Sequence, residues 1–303
     1  MTAEERLSLS GFLAAGCVVL IWSSWLVVSR AGAQSPLTPF DMAALRYGIS
    51  ALVAIPFVLV LKPWRQQSWP RLIIISILLG PLYILMVFGG FTYAPAAHGG
   101  IFMNGLLPVM TMLIAGFWLG ERPGRRQLGG AGLIIAAAAV LAWLASGLDI
   151  ATSWRGDLLF VASALSFGGY MVVGRHWGVT AAQLLLASAL INGIVYVPIW
   201  YFWLPSGMAE TSLPQLLLQS AYQGLVPNML GLLLVNFALS RIGATATSAM
   251  MAAVPGMGSL LGVIILGENL GTTGWIALAV LTCGIILTTI SPKPHSPKPE
   301  SRP

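Results

Sequence analysis

The chain repeats itself. Trp22-Ser-Ser-Trp-Leu-Val-Val-Ser-Arg30 returns 145 positions later as Phe167-Gly-Gly-Tyr-Met-Val-Val-Gly-Arg175. Aromatic aligns with aromatic, small with small, Val-Val with Val-Val, and Arg with Arg. Prolines extend the match: Gly80-Pro81 aligns with Val226-Pro227, Leu107-Pro108 with Val254-Pro255, and Pro56 with Pro198. Leu119-Gly-Glu121 aligns with Leu266-Gly-Glu268. Each copy lies in a half with five apolar segments. An odd number of crossings turns the second half upside down. Inverted halves are the architecture of secondary transporters, which hold substrate near the bilayer midplane.

Composition puts those segments in lipid. Of 303 residues, 57% are hydrophobic and 8% charged, against about 25% charged in a soluble domain. Ten runs are each long enough to cross a roughly 30 Å hydrocarbon core as a helix: 11–29, 39–61, 71–92, 98–119, 128–146, 156–174, 180–203, 214–238, 245–266 and 273–290. The expected fold is all-α and integral to the membrane, with ten transmembrane helices in two inverted five-helix repeats around a central cavity. The expected boundaries are 1–147 for the first repeat, 148–291 for the second and 292–303 for a disordered, proline-rich cytoplasmic tail. Glu4 and Glu5 spoil the basic region of a signal peptide, and nine runs follow, so the first run is read as a span. With the N-terminus cytoplasmic, only Arg30, Arg46 and Arg155 of the 15 Lys and Arg fall outside. Both termini are therefore expected on the cytoplasmic side of a bacterial inner membrane. The net charge of +6 is then a topology signal and asks for no nucleic acid.

These landmarks resemble the EamA family of the drug/metabolite transporter superfamily. The matching features are Trp22 to Trp25 in the first helix, Leu45-Arg46-Tyr47 in the second, Pro108 and Leu119 to Arg122 in the fourth, and Gln127 with Gly129, Gly130 and Gly132 in the fifth. Pro255 and Leu266 to Glu268 repeat the pattern, but the seventh helix has no Arg matching Arg46. The resemblance implies a ten-helix basket that exports small metabolites, and it is nearest to exporters of aromatic and other neutral amino acids.

Charge narrows the substrate. The acidic residues read as helix-end or loop residues, and no Lys or Arg as a midplane cation. That pattern disfavours strongly anionic and strongly cationic cargo, favours neutral or zwitterionic cargo, and leaves no obvious coupling-ion carboxylate. No cofactor and no metal is expected. The three His are scattered without acids nearby, which argues against a metal hydrolase, and Asp41, Asp149 and Asp157 form no magnesium motif. The reading is a transporter, not an enzyme or a channel. Its partners are a small-molecule substrate and the lipid bilayer; no obligate protein partner is expected, and a monomer suffices. Export of drugs or nucleosides is the alternative.

Most Trp residues sit near span ends, as interfacial anchors do. Trp22 and Trp25, with their repeat mates Phe167 and Tyr170, are expected to ring the cavity and stack on an apolar side chain. Ser24, Tyr83, Asn104, Asn192, Tyr196 and Asn228 supply uncharged polarity at membrane depth; each alone could equally bridge helices. Ser23, Ser24, Gly168 and Gly169 allow close helix approach. Pro56, Pro81, Pro108, Pro198, Pro227 and Pro255 each free the carbonyl four residues back. In hydrocarbon an unpaired acceptor costs several kcal/mol, so three symmetry-related pairs point to hinges or a wet cavity. Neighbouring side chains filling the kinks are the other reading. His98 is expected to line the exit or relay a proton. Glu121 and Glu268 are expected to cap helices or pair with a loop Arg such as Arg122 or Arg125.

Overall fold

The computed structural model describes residues 3–147 and 153–289; the tail 292–303 and Asp149 lie outside them. Among the described residues ten helices are long and apolar enough to cross a membrane: Leu9–Ala33, Pro39–Leu61, Trp69–Tyr93, Ala96–Leu119, Arg125–Trp143, Ser153–Trp177, Ala182–Trp203, Leu213–Gly243, Ala246–Leu266 and Gly271–Thr289. They are numbered spans 1 to 10. Their outer surface is apolar, as lipid requires: Phe117 is 96% exposed and Val60 78%. Trp69, Trp118, Trp143, Trp154, Trp203 and Trp275 are exposed too, as expected of a belt.

The repeat is visible in the packing. Span 1 packs against spans 8 and 9, and span 6 against spans 3 and 4. Span 2 meets span 7, and span 5 meets span 10. Exchanging the halves maps this set of contacts onto itself, so each half finds its main partners in the other.

Four of the six prolines interrupt their helices. Pro81, Pro108, Pro227 and Pro255 each open a new helical segment, where a missing N–H costs nothing. Before Pro108 the chain winds as π-helix over Gly99–Gly105, and π-helix spans Val226–Leu230 around Pro227. Pro56 and Pro198, expected as hinges, lie inside unbroken helices.

Carbonyls beside these breaks, though not those four residues before each proline, are bonded by side chains. The Asn192 amide donates to the Ser76 carbonyl at 3.1 Å, and the Ser50 hydroxyl to the Gly224 carbonyl at 2.7 Å. Ser166 donates to Leu78, Ser23 to Val254, and the Trp22 indole to Pro227 at 3.4 Å. Each donor belongs to the half opposite its acceptor. These bonds tie the two halves together beside the breaks.

The Leu-Gly-Glu copies close spans 4 and 9 alike. Gly120 and Gly267 take φ of 65° and 68°, the left-handed turn that ends a helix and favours Gly. That turn throws Glu121 and Glu268 off the helix ends, toward the partners described below.

Spans 5 and 10 touch through glycine. A β-carbon on Gly130 would lie 2.6 Å from the Gly284 carbonyl oxygen, whereas one on Gly129 or Gly132 meets nothing within 4 Å. Of the three glycines in the fifth helix, only Gly130 is a contact residue. Gly130→Ala should therefore destabilise the protein by about 1–3 kcal/mol, read as a lower melting temperature in detergent. Gly129→Ala should not lower it; equal losses would refute this packing.

Candidate functional site

The site is built around the first-repeat motif. Trp25 is buried, and its indole N–H donates to Gln223 Oε1 at 2.7 Å. The Gln223 amide donates to Ser29 Oγ and to Gln219 Oε1, and Gln219 donates to the Val28 carbonyl at 2.8 Å. This network locks spans 1 and 8 together and fixes the ring. The Ser24 hydroxyl shares a 2.5 Å hydrogen bond with Tyr222 Oη and faces its own helix through Leu20. The half-buried Trp22 lies over Gly231, where a β-carbon would sit 2.8 Å from its indole nitrogen.

Arg46 stands beside this ring, and here the uncharged interior expected from the sequence is corrected. Its side chain is buried, with Nη2 donating to Asn228 Oδ1 at 2.5 Å and Cζ 5.7 Å from the Trp25 ring centroid. The hydroxyls of Tyr47 and Tyr83 lie within electrostatic reach. Nη1 of Arg46 and the hydroxyl of Tyr47 are both buried without a hydrogen-bond partner. A residue read as belonging to the outer end of span 2 is a cation inside the bundle.

The four rings expected around one axis fall into separate groups. Trp25 tilts against Phe88 at 6.4 Å, while Tyr83, Phe167 and Tyr170 form a chain of rings at 5.1 and 5.4 Å. The Tyr83 hydroxyl donates to Met103 Sδ. Asn192 is a helix bridge, bonded to Ser76 and Ser188. Tyr196 donates to the Phe40 carbonyl at 3.3 Å and packs edge-on against Tyr47. Asn104 is half-buried in the π-wound start of span 4. Of the expected substrate residues, Trp25, Tyr83 and Asn228 therefore gather at Arg46; Asn192 and Tyr196 bond backbone carbonyls; Trp22 and Ser24 tie span 1 to span 8.

His98 is enclosed and paired with an acid. It is buried, and its Nδ1 lies 2.7 Å from Oδ1 of the equally buried Asp157. The expectation that no acid lies near a His fails because the two are 59 residues apart in sequence and meet only when span 6 packs on the start of span 4. Asp41 is likewise buried. It completes a capping box with Thr38 and accepts from the Trp200 indole and the Gly207 amide, both at 2.8 Å. Trp200 is thereby tied to span 2. Among the described residues no group of three or more His, Cys, Asp and Glu could hold a metal ion.

Two ion pairs complete the site, and neither uses Arg122 or Arg125. Glu121 accepts from Arg175 Nη2 at 2.5 Å, with both side chains exposed. Glu268 lies 3.6 Å from Arg30 Nε, with the pair only 12–16% exposed. Its two oxygens also accept from the Ala96 amide at 3.0 Å, capping span 4 where the helix dipole favours an anion. Arg30 in turn donates to the Phe91 carbonyl. Arg30 aligns with Arg175 and Glu268 with Glu121, so each repeat gives the Arg of one pair and the Glu of the other. Span parity sets the two pairs on opposite membrane faces.

Residues 9–143 and 154–290 each match the EamA-like transporter family. The uncharacterized transporter YcxC of Bacillus subtilis (strain 168) is 28% identical over 284 residues, covering 86% of this chain and 87% of its own. A probable terminal-alkyne amino-acid exporter of Streptantibioticus cattleyicolor is 22% identical over 290 residues, covering 89% and 90%. A solved crystal structure aligns over 94% of this chain and 96% of its own at TM-score 0.63 and 21% identity, which is a likeness of fold.

Ser50 and Asn192 cap equivalent breaks from opposite halves, so their losses should be alike and independent. Ser50→Ala and Asn192→Ala should each cost about 1–3 kcal/mol, the penalty for a buried acceptor left unpaired. The double variant should lose roughly the sum in thermal unfolding. A silent Asn192→Ala would remove it from the scaffold.

Proposed function

The chain belongs to the EamA-like transporter family, and from that premise we propose that it is a secondary transporter exporting small amphipathic metabolites, amino acids with aromatic side chains among them, by alternating access. It sits in a bacterial inner membrane with both termini cytoplasmic. The observation that carries this reading is the unequal setting of two repeat-related ion pairs. Arg30–Glu268 is enclosed and tied to two backbone groups; Arg175–Glu121 is open to solvent. In an inverted repeat, a second state follows by exchanging the two environments. In the orientation proposed here, the enclosed pair faces outside, together with His98–Asp157 and the Asp41 cluster. The structure then corresponds to a carrier closed toward the exterior.

The energies suit a reversible gate. An exposed pair contributes about 0–1 kcal/mol. An enclosed pair gives up hydration in exchange for attraction, so its opening, which returns both charges to water, can be close to balanced. The amino-acid reading is supported by the Trp25 ring site and by the named function of the Streptantibioticus relative.

Counterflow of labelled L-phenylalanine by purified protein in liposomes tests the substrate. Trp25→Ala should lower it at least tenfold, and the exposed, belt-forming Trp154→Ala less than twofold. Equal effects would detach the ring site from transport. The gate is tested separately. In a background with Cys17→Ser and Cys283→Ser, the buried Ala97 is replaced by Cys as a reporter on the Glu268 side. Glu268→Gln should speed its labelling by an impermeant thiol reagent severalfold, and Glu121→Gln should not. An unchanged rate with Glu268→Gln would sink the gate.

A further inference from the structure

We propose that Arg46 is a carboxylate subsite, so that the exported molecule carries one carboxylate, bound by the guanidinium together with the Tyr47 hydroxyl. The proposal rests on the transporter reading and sharpens it from a neutral or amphipathic substrate to an acid or zwitterion.

Three observations carry it. The guanidinium is nine-tenths buried, yet Nη1 has no hydrogen-bond partner, and the Tyr47 hydroxyl, 99% buried on the next residue, has none either. An Arg keeps its charge in proteins, and a buried charge that lacks a counter-charge is strongly disfavoured. Its neighbours supply no counter-charge. Asn228 accepts one N–H, Trp25 offers a ring face, and Tyr47 and Tyr83 are neutral phenols. Among the described residues no Asp or Glu forms an ion pair with Arg46. The third observation is its asymmetry. At the offset relating Pro56 to Pro198, the counterpart of Arg46 is Ser188. The Arg30–Glu268 and Arg175–Glu121 pairs are repeat mates, whereas this cation comes once.

The chemistry selects the ligand. A guanidinium with one N–H edge committed to Asn228 and another open suits a planar carboxylate, with a phenol O–H as a further donor. A single cation matches a single negative charge. A phosphate monoester, nearer two negative charges, would leave an excess anion in a low-dielectric interior. The Trp25 ring keeps the guanidinium in place by a cation–π contact and gives the remainder of the ligand an apolar wall.

The test uses purified full-length protein and matched pairs of compounds: L-phenylalanine, 3-phenylpropanoate and 3-methylbutanoate, each against its own amide. Ligand-induced thermal shift reads binding without transport, and competition against L-phenylalanine counterflow reads it in the cycle. In the wild type at least one acid should bind tenfold or more tightly than its amide. Arg46→Gln should erase that preference, and Arg46→Lys, which keeps the charge without the fork, should retain part of it. If Arg46→Gln does not fold, Arg46→Lys and Tyr47→Phe carry the comparison, and each should narrow the ratio at least threefold. An acid preference that survives these variants, or equal binding of every acid and amide, overturns the subsite and leaves the transporter reading intact. Acid-selective thermal shift without counterflow of any compound would sustain the subsite and overturn the amino-acid transport reading instead.

Discussion

A bilayer offers no water to a broken helix, and this fold depends on how it answers that constraint. Four prolines interrupt spans 3, 4, 8 and 9. Each break leaves backbone carbonyls that lipid cannot satisfy. At the breaks in spans 3, 8 and 9 side chains of the facing half satisfy carbonyls: Asn192 at Ser76, Ser166 at Leu78, Ser50 at Gly224 and Ser23 at Val254. Neither half could complete this set alone. Under the proposed cycle the helices on either side of a break would tilt while these local bonds follow. A straight helix would resist the same motion along its whole length.

The architecture was legible because it is written in periodicities that lipid enforces. Ten apolar runs, their parity and the repeated Trp-small-small-aromatic motif need no tertiary knowledge. The glycine of each Leu-Gly-Glu copy could also be assigned, since only a left-handed turn explains a Gly followed by a charge at a span end. Less legible were the charges. Arg46 lies seven residues into span 2, about 10 Å along a helix axis, a distance compatible with a side chain reaching for the headgroups. Its burial depends on Asn228, 182 residues away. One signal was present: Arg46 has no partner in the second repeat. In a duplicated scaffold, a charged residue found in one copy only is a candidate for recognising cargo, whereas symmetry-matched residues are candidates for the frame or for its alternating gates.

That distinction sorts the remaining residues. Asn192 was grouped with Asn104 and Asn228 as midplane polarity, yet it is the repeat counterpart of Ser50 at the offset of the Pro56–Pro198 pair, and both cap equivalent breaks. Trp25 and Tyr170 occupy equivalent positions and differ in role. Trp25 is fixed by Gln223 beside Arg46, and Tyr170 packs on Phe167. Small asymmetric cargo cannot be recognised by two identical half-sites, so specificity has to be placed where the duplication has decayed. Gln219 and Gln223 illustrate what sequence could not rank. Their i,i+4 spacing puts both amides on one face of span 8, toward the carbonyls and hydroxyls of span 1.

The two ion pairs then link recognition to motion. Under the proposed cycle the enclosed pair must loosen for cargo to leave, and its repeat mate must become enclosed in turn. The enclosed Glu268 has a competing commitment, because it also caps span 4 through Ala96. Releasing it uncovers a helix N-terminus beside His98 and Asp157, themselves paired at 2.7 Å. Opening therefore disturbs the His–Asp pair as well as the Arg–Glu pair, because both pairs involve the same first turn of span 4. A cargo carboxylate at Arg46 would lower the cost from the other direction, by neutralising the one buried cation that lacks an acid. Under this scheme binding and opening are coupled through charge compensation, without a dedicated ion passing along the bundle.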